Sequence, residues 1–380
     1  MKAQTYTCIE AFCGAGGLSL GLERAGFEVL TSFDVDEKSV TTFNAYRHRE
    51  IAFRRDARDL TGDELKRRAG LIGERRLDLF SGGPPCQGFS KQKRGAHLGD
   101  HRNGLVLEFA RLVRELEPRF FLLENVAMFG QKRGRSFIPY IQGLLGDFDL
   151  FPHFYNCADY GLPQTRERFV IVGRHREVTG SFRIPDPTAT RRVTVGDAIG
   201  DLPEPPDNYT DHPQYPNHQR ARVTAENLKR FSFVPQGGGW QDIPEEYRLP
   251  CHRKVDTRSG GWTDVYGRLE WDGFATTITG GFDSFSRGRY GHPVQDRPLT
   301  PREAARLQGF PDDYVFYGTR HDIRHQIGNA VPPPLAEAIG REIRRSLLIA
   351  DGIFREADVE LHRDVEVTQP LLIQYAHLNR

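Results

Sequence analysis

A chain of 380 residues with 38% hydrophobic and 11% aromatic content has the size and apolar content for one large or two modest globular domains. No apolar run approaches the ~18 residues that span a bilayer, and the start MKAQTYTCIEAF reads as a strand rather than a secretory signal, so an intracellular protein is expected. A net charge of +1 excludes a globally basic nucleic-acid binder, and five scattered cysteines (Cys8, Cys13, Cys86, Cys157, Cys251) lack the spacing of a disulfide framework or a structural metal.

In chain order, 6–12 reads as a strand, 17–26 as a helix with leucines at helical spacing, and 27–34 as a second strand. Residues 77–83 form a short buried strand. Residues 104–117 place Leu105, Phe109, Leu112 and Leu116 on one helical face, and 119–125 and 168–174 are further apolar strands. Apolar runs separated by amphipathic helices predict an α/β fold of Rossmann-like type, with a mostly parallel sheet covered on both faces. This pattern occupies residues 1–178. Residues 179–300 are rich in proline, histidine and glycine yet too aromatic for disorder, which predicts a smaller loop-rich domain. Residues 301–350 open a helix with Thr300 as N-cap and Pro301 at the first helical position, and a second helix starts through prolines. Residues 351–380 carry no interpretable pattern. Between Ser286 and Arg302 four arginines face one acid, Asp296, which reads either as a local basic face for phosphate or as a solvated surface.

Five features carry chemistry. In EAFCGAGGLSLGLERAGF a glycine-rich turn follows the first strand and opens a helix, and Asp34 and Asp36 follow about 20 residues past Gly14 at the end of the second strand. That arrangement suits an adenosine-containing cofactor and leaves nicotinamide dinucleotide and S-adenosylmethionine both open; GxGG in place of GxGxxG weakens the dinucleotide. Asp56, near the end of a third strand, is placed to accept from an adenine amino group or is a surface acid. In SGGPPCQGFS, Cys86 sits in a proline-stiffened loop at the carboxyl end of a strand, where α/β sheets bind ligands and where a nucleophilic thiolate has access. One strand later Glu124 and Asn125 end FLLENV, and Gln164, Arg166 and Arg168 precede another strand, with arginines suited to an anion or a carbonyl oxygen.

FCGAGG, PPCQGFS, ENV, QTRER and QIGNAVPPPLAEAIG stand in the order and spacing of the DNA cytosine-5 methyltransferases, and the chain resembles a bacterial modification methylase of that family from Thr7 to about Ile349. The resemblance is weakest between Gly180 and Leu269. It implies a methyl group transferred from S-adenosylmethionine to C5 of a flipped cytosine in double-stranded DNA, within a specific short sequence, leaving S-adenosylhomocysteine and using no metal. Cys86 is then the nucleophile at C6 and Glu124 the acid at N3. Arg168 reaches O2 or the base edge, Arg166 positions the cysteine loop and backbone, and Asn125 fixes the loop after its strand. The cofactor is expected against Phe12, Gly14 and Gly16, with Asp34 on the ribose, Asp56 and Ala57 at the adenine edge, Pro85 and Leu105 on the methionine side, and Asn329 and Val331 completing the pocket. Val35 stands where the family often has an aromatic residue, which shifts adenine stacking towards Phe12. Gln87, Ser90, Lys91 and Arg94 are expected at DNA from the loop after Cys86. Thr276, Arg287 and Arg289 are expected there from the small domain, a structural role being their competing reading.

The implied protein is a cytoplasmic, nucleoid-associated prokaryotic monomer. It serves a restriction endonuclease acting on the same site or works as an orphan methylase. A tRNA cytosine-5 methyltransferase of the same fold is the alternative, but its Cys-Phe-Thr insert is missing. A non-catalytic DNA-binding relative would be expected to have lost Cys86 or Glu124, and a nicotinamide oxidoreductase explains none of the later motifs.

Overall fold

The computed structural model describes residues 4–71, 73, 75–85, 104–131, 137–254 and 264–355. The strands are β1 (Tyr6–Ala11), β2 (Phe27–Asp34), β3 (Ala52–Arg54), β4 (Leu79–Gly82), β5 (Phe120–Val126), β6 (Phe148–Asn156) and β7 (Glu167–His175). The helices are α1 (Gly17–Arg24), α2 (Glu37–Arg47), α3 (Gly62–Arg68), α4 (Gly104–Leu116), α5 (Ala127–Gly130), α6 (Phe137–Leu144), α7 (Val195–Ile199), α8 (Ala225–Phe231), α9 (Pro301–Leu307), α10 (Arg320–Asn329) and α11 (Pro333–Ala350).

The strands make one seven-stranded sheet in the order β3-β2-β1-β4-β5-β7-β6. The pairs from β3 through to β5 are parallel, and β7 runs antiparallel to both of its neighbours. Alternation along each central strand explains why both faces are covered. In β5, Phe120 and Leu122 enter the core beneath α1 and α11, while Phe121 and Leu123 enter the core beneath α3, α4 and α6. Edge strand β6 escapes a sequence reading for a physical reason. It pairs only with β7, its middle is exposed, and it carries Pro152, a residue that central strands exclude.

The described residues between 179 and 300 are built from α7, α8, short 3₁₀ turns and isolated bridges. Phe231, Val234, Trp240, Ile243, Tyr266 and Phe285 form a core of their own. A further cluster joins Val195, Leu269, Ala275 and Ile278 to Ala304, Leu307 and Ile327, and to Ala15 and Leu20 of the first motif. Thr300 caps α9 as expected, in a full capping box with Glu303. Helix α11 packs against α1 so closely that a Cβ on Gly21 would stand 2.3 Å from the Pro333 carbonyl oxygen. The C-terminal chain is thereby brought back to the first motif.

Candidate active site

The first turn leaves β1 through Phe12, at φ 55°, then Gly14 at φ 51° and Gly16 at φ 89°. The two glycines serve different needs. A Cβ on Gly14 would meet no atom within 4 Å, so this side of the turn is open, whereas one on Gly16 would press on Phe43, Arg47 and the Tyr314 hydroxyl at 2.7–2.9 Å. Asp34 ends β2 and accepts from the Gly14 N–H at 2.8 Å and the Asp36 N–H at 2.9 Å, which fixes its carboxylate beside the turn. Burial raises the Asp34 pKa, and those N–H donors oppose the rise. Phe12 leans on Phe33 with ring centroids 6.0 Å apart. Val35 is 62% exposed. Asp56 caps a 3₁₀ turn through the Arg58 N–H, Ala57 is buried, and Leu105 packs partly buried under the same edge. A Cβ on Gly17 would lie 2.4 Å from the Val331 carbonyl oxygen, so the segment of exposed Asn329 and half-buried Val331 closes against the turn.

The ends of β4 and β5, one and two strands from β1, carry the next motif residues. Strand β4 pairs with β5 so that Gly82 faces Leu123, and a Cβ on Gly83 would stand 2.9 Å from Glu124 Oε2 and 3.9 Å from Val331 Cγ2. Glu124, Gly83 and Val331 therefore meet. Asn125 Nδ2 donates to the Pro84 carbonyl at 3.2 Å, tying the chain that leads into Cys86 to the end of β5. Pro84 is buried and Pro85 exposed; Cys86, Gln87, Ser90, Lys91 and Arg94 lie outside the described residues. Glu124 is 8% exposed and receives Arg168 Nε at 2.7 Å, as diagonal neighbours of the antiparallel β5–β7 pair. Burial raises the Glu124 pKa above the ordinary carboxylate value, and Arg168 and Arg166 oppose without cancelling it.

Arg166 is fully buried. It donates to the carbonyls of Ile278 at 2.8 Å, Gly328 at 2.9 Å and Ala330 at 3.1 Å. Its acceptors thus lie in the segment around Ile278 and in the chain at the end of α10. Gln164 extends the junction: it donates to Leu307 O and Gln308 Oε1, and its own Oε1 accepts from the Ile278 N–H at 2.9 Å. Ala275 pairs with Pro163 and Thr165, which holds half-buried Thr276 alongside the start of β7.

One edge thus gathers an open glycine turn with Asp34 held beside it, the buried Glu124 with its paired Arg168, and the chain entering PPCQ. The model of the C-5 cytosine-specific DNA methylases matches residues 6–345. The chain belongs to that family. It is 37% identical over 344 residues to the Type II methyltransferase M1.HphI of Haemophilus parahaemolyticus, covering 89% of this chain and 87% of that protein. It is 37% identical over 350 residues to the Type II methylase M.HgiDII of Herpetosiphon aurantiacus, covering 89% and 95%. Among solved structures, a DNA modification methyltransferase encoded within an Escherichia coli prophage superimposes with a TM-score of 0.67 at 29% identity, covering 90% of this chain and 99% of that one. The Schizosaccharomyces pombe Dnmt2 methyltransferase, at 16% identity and a TM-score of 0.56, covers 92% and 100% and shares the fold.

The methylase is a DNA cytosine-5 methyltransferase, similar to Type II modification enzymes of bacteria. Among the described residues no helix is long and apolar enough to cross a membrane, and no group of His, Cys, Asp and Glu has metal-holding geometry. The arginine-rich run of the methylase is not the basic face that its composition suggests. Arg302 is buried and donates to the carbonyls of Pro216, Pro311 and Tyr314, each at 2.9 Å. Arg297 is buried against Glu303. Arg289, for which the sequence leaves DNA contact and a structural role both open, is half-buried and donates Nη1 to the carbonyls of Gly237, Gly238 and Arg268 at 2.6–3.1 Å. Buried carbonyls of a loop-rich domain need donors, and arginine supplies several from one side chain. Arg287 alone of the four is exposed. Sequence reasoning also passed over Gln308, Glu10 and Tyr314. Glu10 accepts from Ser19 Oγ beneath the turn, and burial pushes its carboxyl up to about 8. No local sequence signal marks Gln308 or Tyr314, because their partners lie 144 and 299 positions away.

Proposed function

We propose that the methylase acts on a cytosine flipped out of duplex DNA, through a covalent bond between Cys86 and C6, with S-adenosylmethionine as methyl donor. The single observation that carries this reading is the meeting of Glu124, its pKa raised by burial, with the chain leading into Cys86. Attack of the Cys86 thiolate forms the S–C6 bond and moves electron density to N3 and O2. A carboxylic acid that holds its proton relieves that density by donating to N3. Arg168 keeps Glu124 oriented and presents a cation at the base edge. The residues fit the donor: Gly14 faces open space, Asp34 stands locked beside the turn, and Asn329 and Val331 border it from the C-terminal chain. When bound, S-adenosylmethionine supplies the electrophilic methyl that C5 takes up; loss of the C5 proton and of the S–C6 bond then frees Cys86. Lys91, Arg94 and Gln87 with Ser90 follow the nucleophile in sequence and suit phosphate and base contacts; Thr276 and Arg287 are the small-domain contacts that remain. Recognition of a short specific sequence belongs to the 179–300 segment, and a restriction endonuclease reading the same sequence is the implied partner activity.

The test is genome-wide bisulfite sequencing of a methylation-free host expressing wild type or Cys86→Ser. We expect 5-methylcytosine at one short motif with wild type and background with the variant. Full methylation by Cys86→Ser sinks the covalent route, and methyl incorporation into tRNA with none in duplex DNA sinks the substrate assignment.

A further inference from the structure

The open glycine turn is held from behind by a residue almost 300 positions away. Tyr314 is fully buried, and its hydroxyl donates to the Ala15 carbonyl, inside the turn between Gly14 and Gly16. The same hydroxyl accepts from Arg47 Nη1 at 3.4 Å, and Arg47 is clamped by Glu23 through two bonds of 2.7 and 2.8 Å. The ring stacks on Tyr46 with centroids 4.1 Å apart, and the Tyr314 carbonyl is gripped by buried Arg302 at 2.9 Å. So α1, α2 and the chain after α9 converge on one phenol, and that phenol holds the carbonyl at the centre of the turn. Four residues of this turn region stand at unusual backbone angles or close contacts: Phe12, Gly14 and Gly16 have positive φ, and Gly17 approaches Val331. Such a turn has few local bonds of its own, the Cys13–Phe33 and Gly16–Cys13 backbone bonds being the main ones.

We infer that Tyr314 is a positioning residue for the methyl donor: its hydroxyl fixes the Ala15 carbonyl and so presets the open face of Gly14 and the N–H that Gly14 gives to Asp34. This rests on S-adenosylmethionine occupying the turn, as proposed above. Preorganisation of this kind acts on ligand affinity, because an unfastened turn must be ordered at the moment of binding. It has little reason to change the chemical step once the site is full.

Tyr314→Phe removes the hydroxyl and keeps the ring in its stack. Tyr46→Phe is the control, since it removes a hydroxyl from the same stack with no bond to the turn. Calorimetric titration of the full chain with S-adenosylhomocysteine is expected to show Kd raised about five- to tenfold in Tyr314→Phe, the loss of roughly one buried hydrogen bond. KM for S-adenosylmethionine is expected to rise with it, kcat at saturation to stay within about twofold, and Tyr46→Phe to match wild type. Hydrogen–deuterium exchange of the unliganded proteins supplies the second readout: faster exchange confined to the 12–18 peptide in Tyr314→Phe supports positioning. A Kd within twofold of wild type, or faster exchange spread evenly over the core strands, overturns the inference. Wild type that fails to bind S-adenosylhomocysteine overturns the underlying cofactor reading instead.

Discussion

The carboxyl edge of the sheet and the run from Ser286 to Arg302 both concentrate charged residues, yet they use them in opposite ways. At the sheet edge, strand register aims each side chain. Antiparallel pairing of β5 with β7 sets Arg168 diagonally from Glu124, and parallel pairing of β4 with β5 carries Gly83 to the same carboxylate. In the run no ladder dictates direction, and three of four arginines turn inward to satisfy carbonyls and one buried acid. Asp296, the one acid of the run, is itself taken by Arg268 at 2.5 Å. Residue type predicts function where backbone geometry supplies orientation, and fails where the side chain is itself the scaffold.

The largest effect that would break this contrast belongs to Glu124. Glu124→Gln keeps the shape and a hydrogen-bond donor but has no acidic proton to transfer. Methyl transfer is expected to fall by about 10²–10⁴, while S-adenosylhomocysteine binding stays near that of wild type. Because burial raises the folded pKa of Glu124, its acid form persists above the ordinary carboxylate range, and wild-type activity that needs this proton declines as pH rises through that raised value. Undiminished methyl transfer by Glu124→Gln would return Glu124 to the status of a structural partner for Arg168.

Much of that edge was legible because motifs close in sequence lie at successive strand ends. Strands β1, β2, β4, β5 and β7 emerged from apolar runs of the right length, and Thr300 with Pro301 announced the start of α9. Strand β6 stayed hidden because an edge strand needs no continuous apolar run and tolerates Pro152. Arg302 was illegible as an internal residue because its acceptors are carbonyls, which every residue type carries, and on the same ground the sequence left Arg289 open between DNA contact and a structural role. Tyr314 was illegible for the same reason: its acceptor is the carbonyl of Ala15.

Arg297 sharpens the contrast on the scaffold side. Its guanidinium grips Glu303 at 2.9 and 2.6 Å, with both side chains buried, and Glu303 also accepts from the Thr300 N–H at 2.8 Å. Burial alone would raise the Glu303 pKa, but Arg297 overcomes it and holds the carboxyl at about 2. A depressed folded pKa gives stability that is present above the unfolded carboxylate value, near 4.5, and lost as pH falls towards about 2. Arg297→Met strands a buried carboxylate, and a loss of about 3–5 kcal/mol is expected at neutral pH. The variant should also lose less on acidification than wild type, because its carboxyl takes up its proton at higher pH. A neutral-pH thermal midpoint equal to that of wild type would mean that the pair is no part of the scaffold.

The smallest stability effect, and the finest division, falls between two arginines two residues apart. Arg287 is exposed and has no side-chain partner among the described residues, whereas Arg289 Nη1 is shared among three carbonyls. Arg287→Gln is expected to change stability by less than about 0.5 kcal/mol. If Arg287 meets a phosphate, the slope of log affinity for duplex DNA against log salt should become shallower by about one. Arg289→Gln should do the reverse. Its removal takes the side-chain donor from three part-buried carbonyls, of which Gly238 O keeps the Arg268 N–H, and costs about 1–3 kcal/mol, with the salt slope unchanged. Fluorescence anisotropy of one labelled duplex at several salt concentrations, beside thermal unfolding, separates the two. Equal salt slopes for wild type and Arg287→Gln would leave the run with no DNA contact, and all four of its arginines would then be accounted for by fold or solvent.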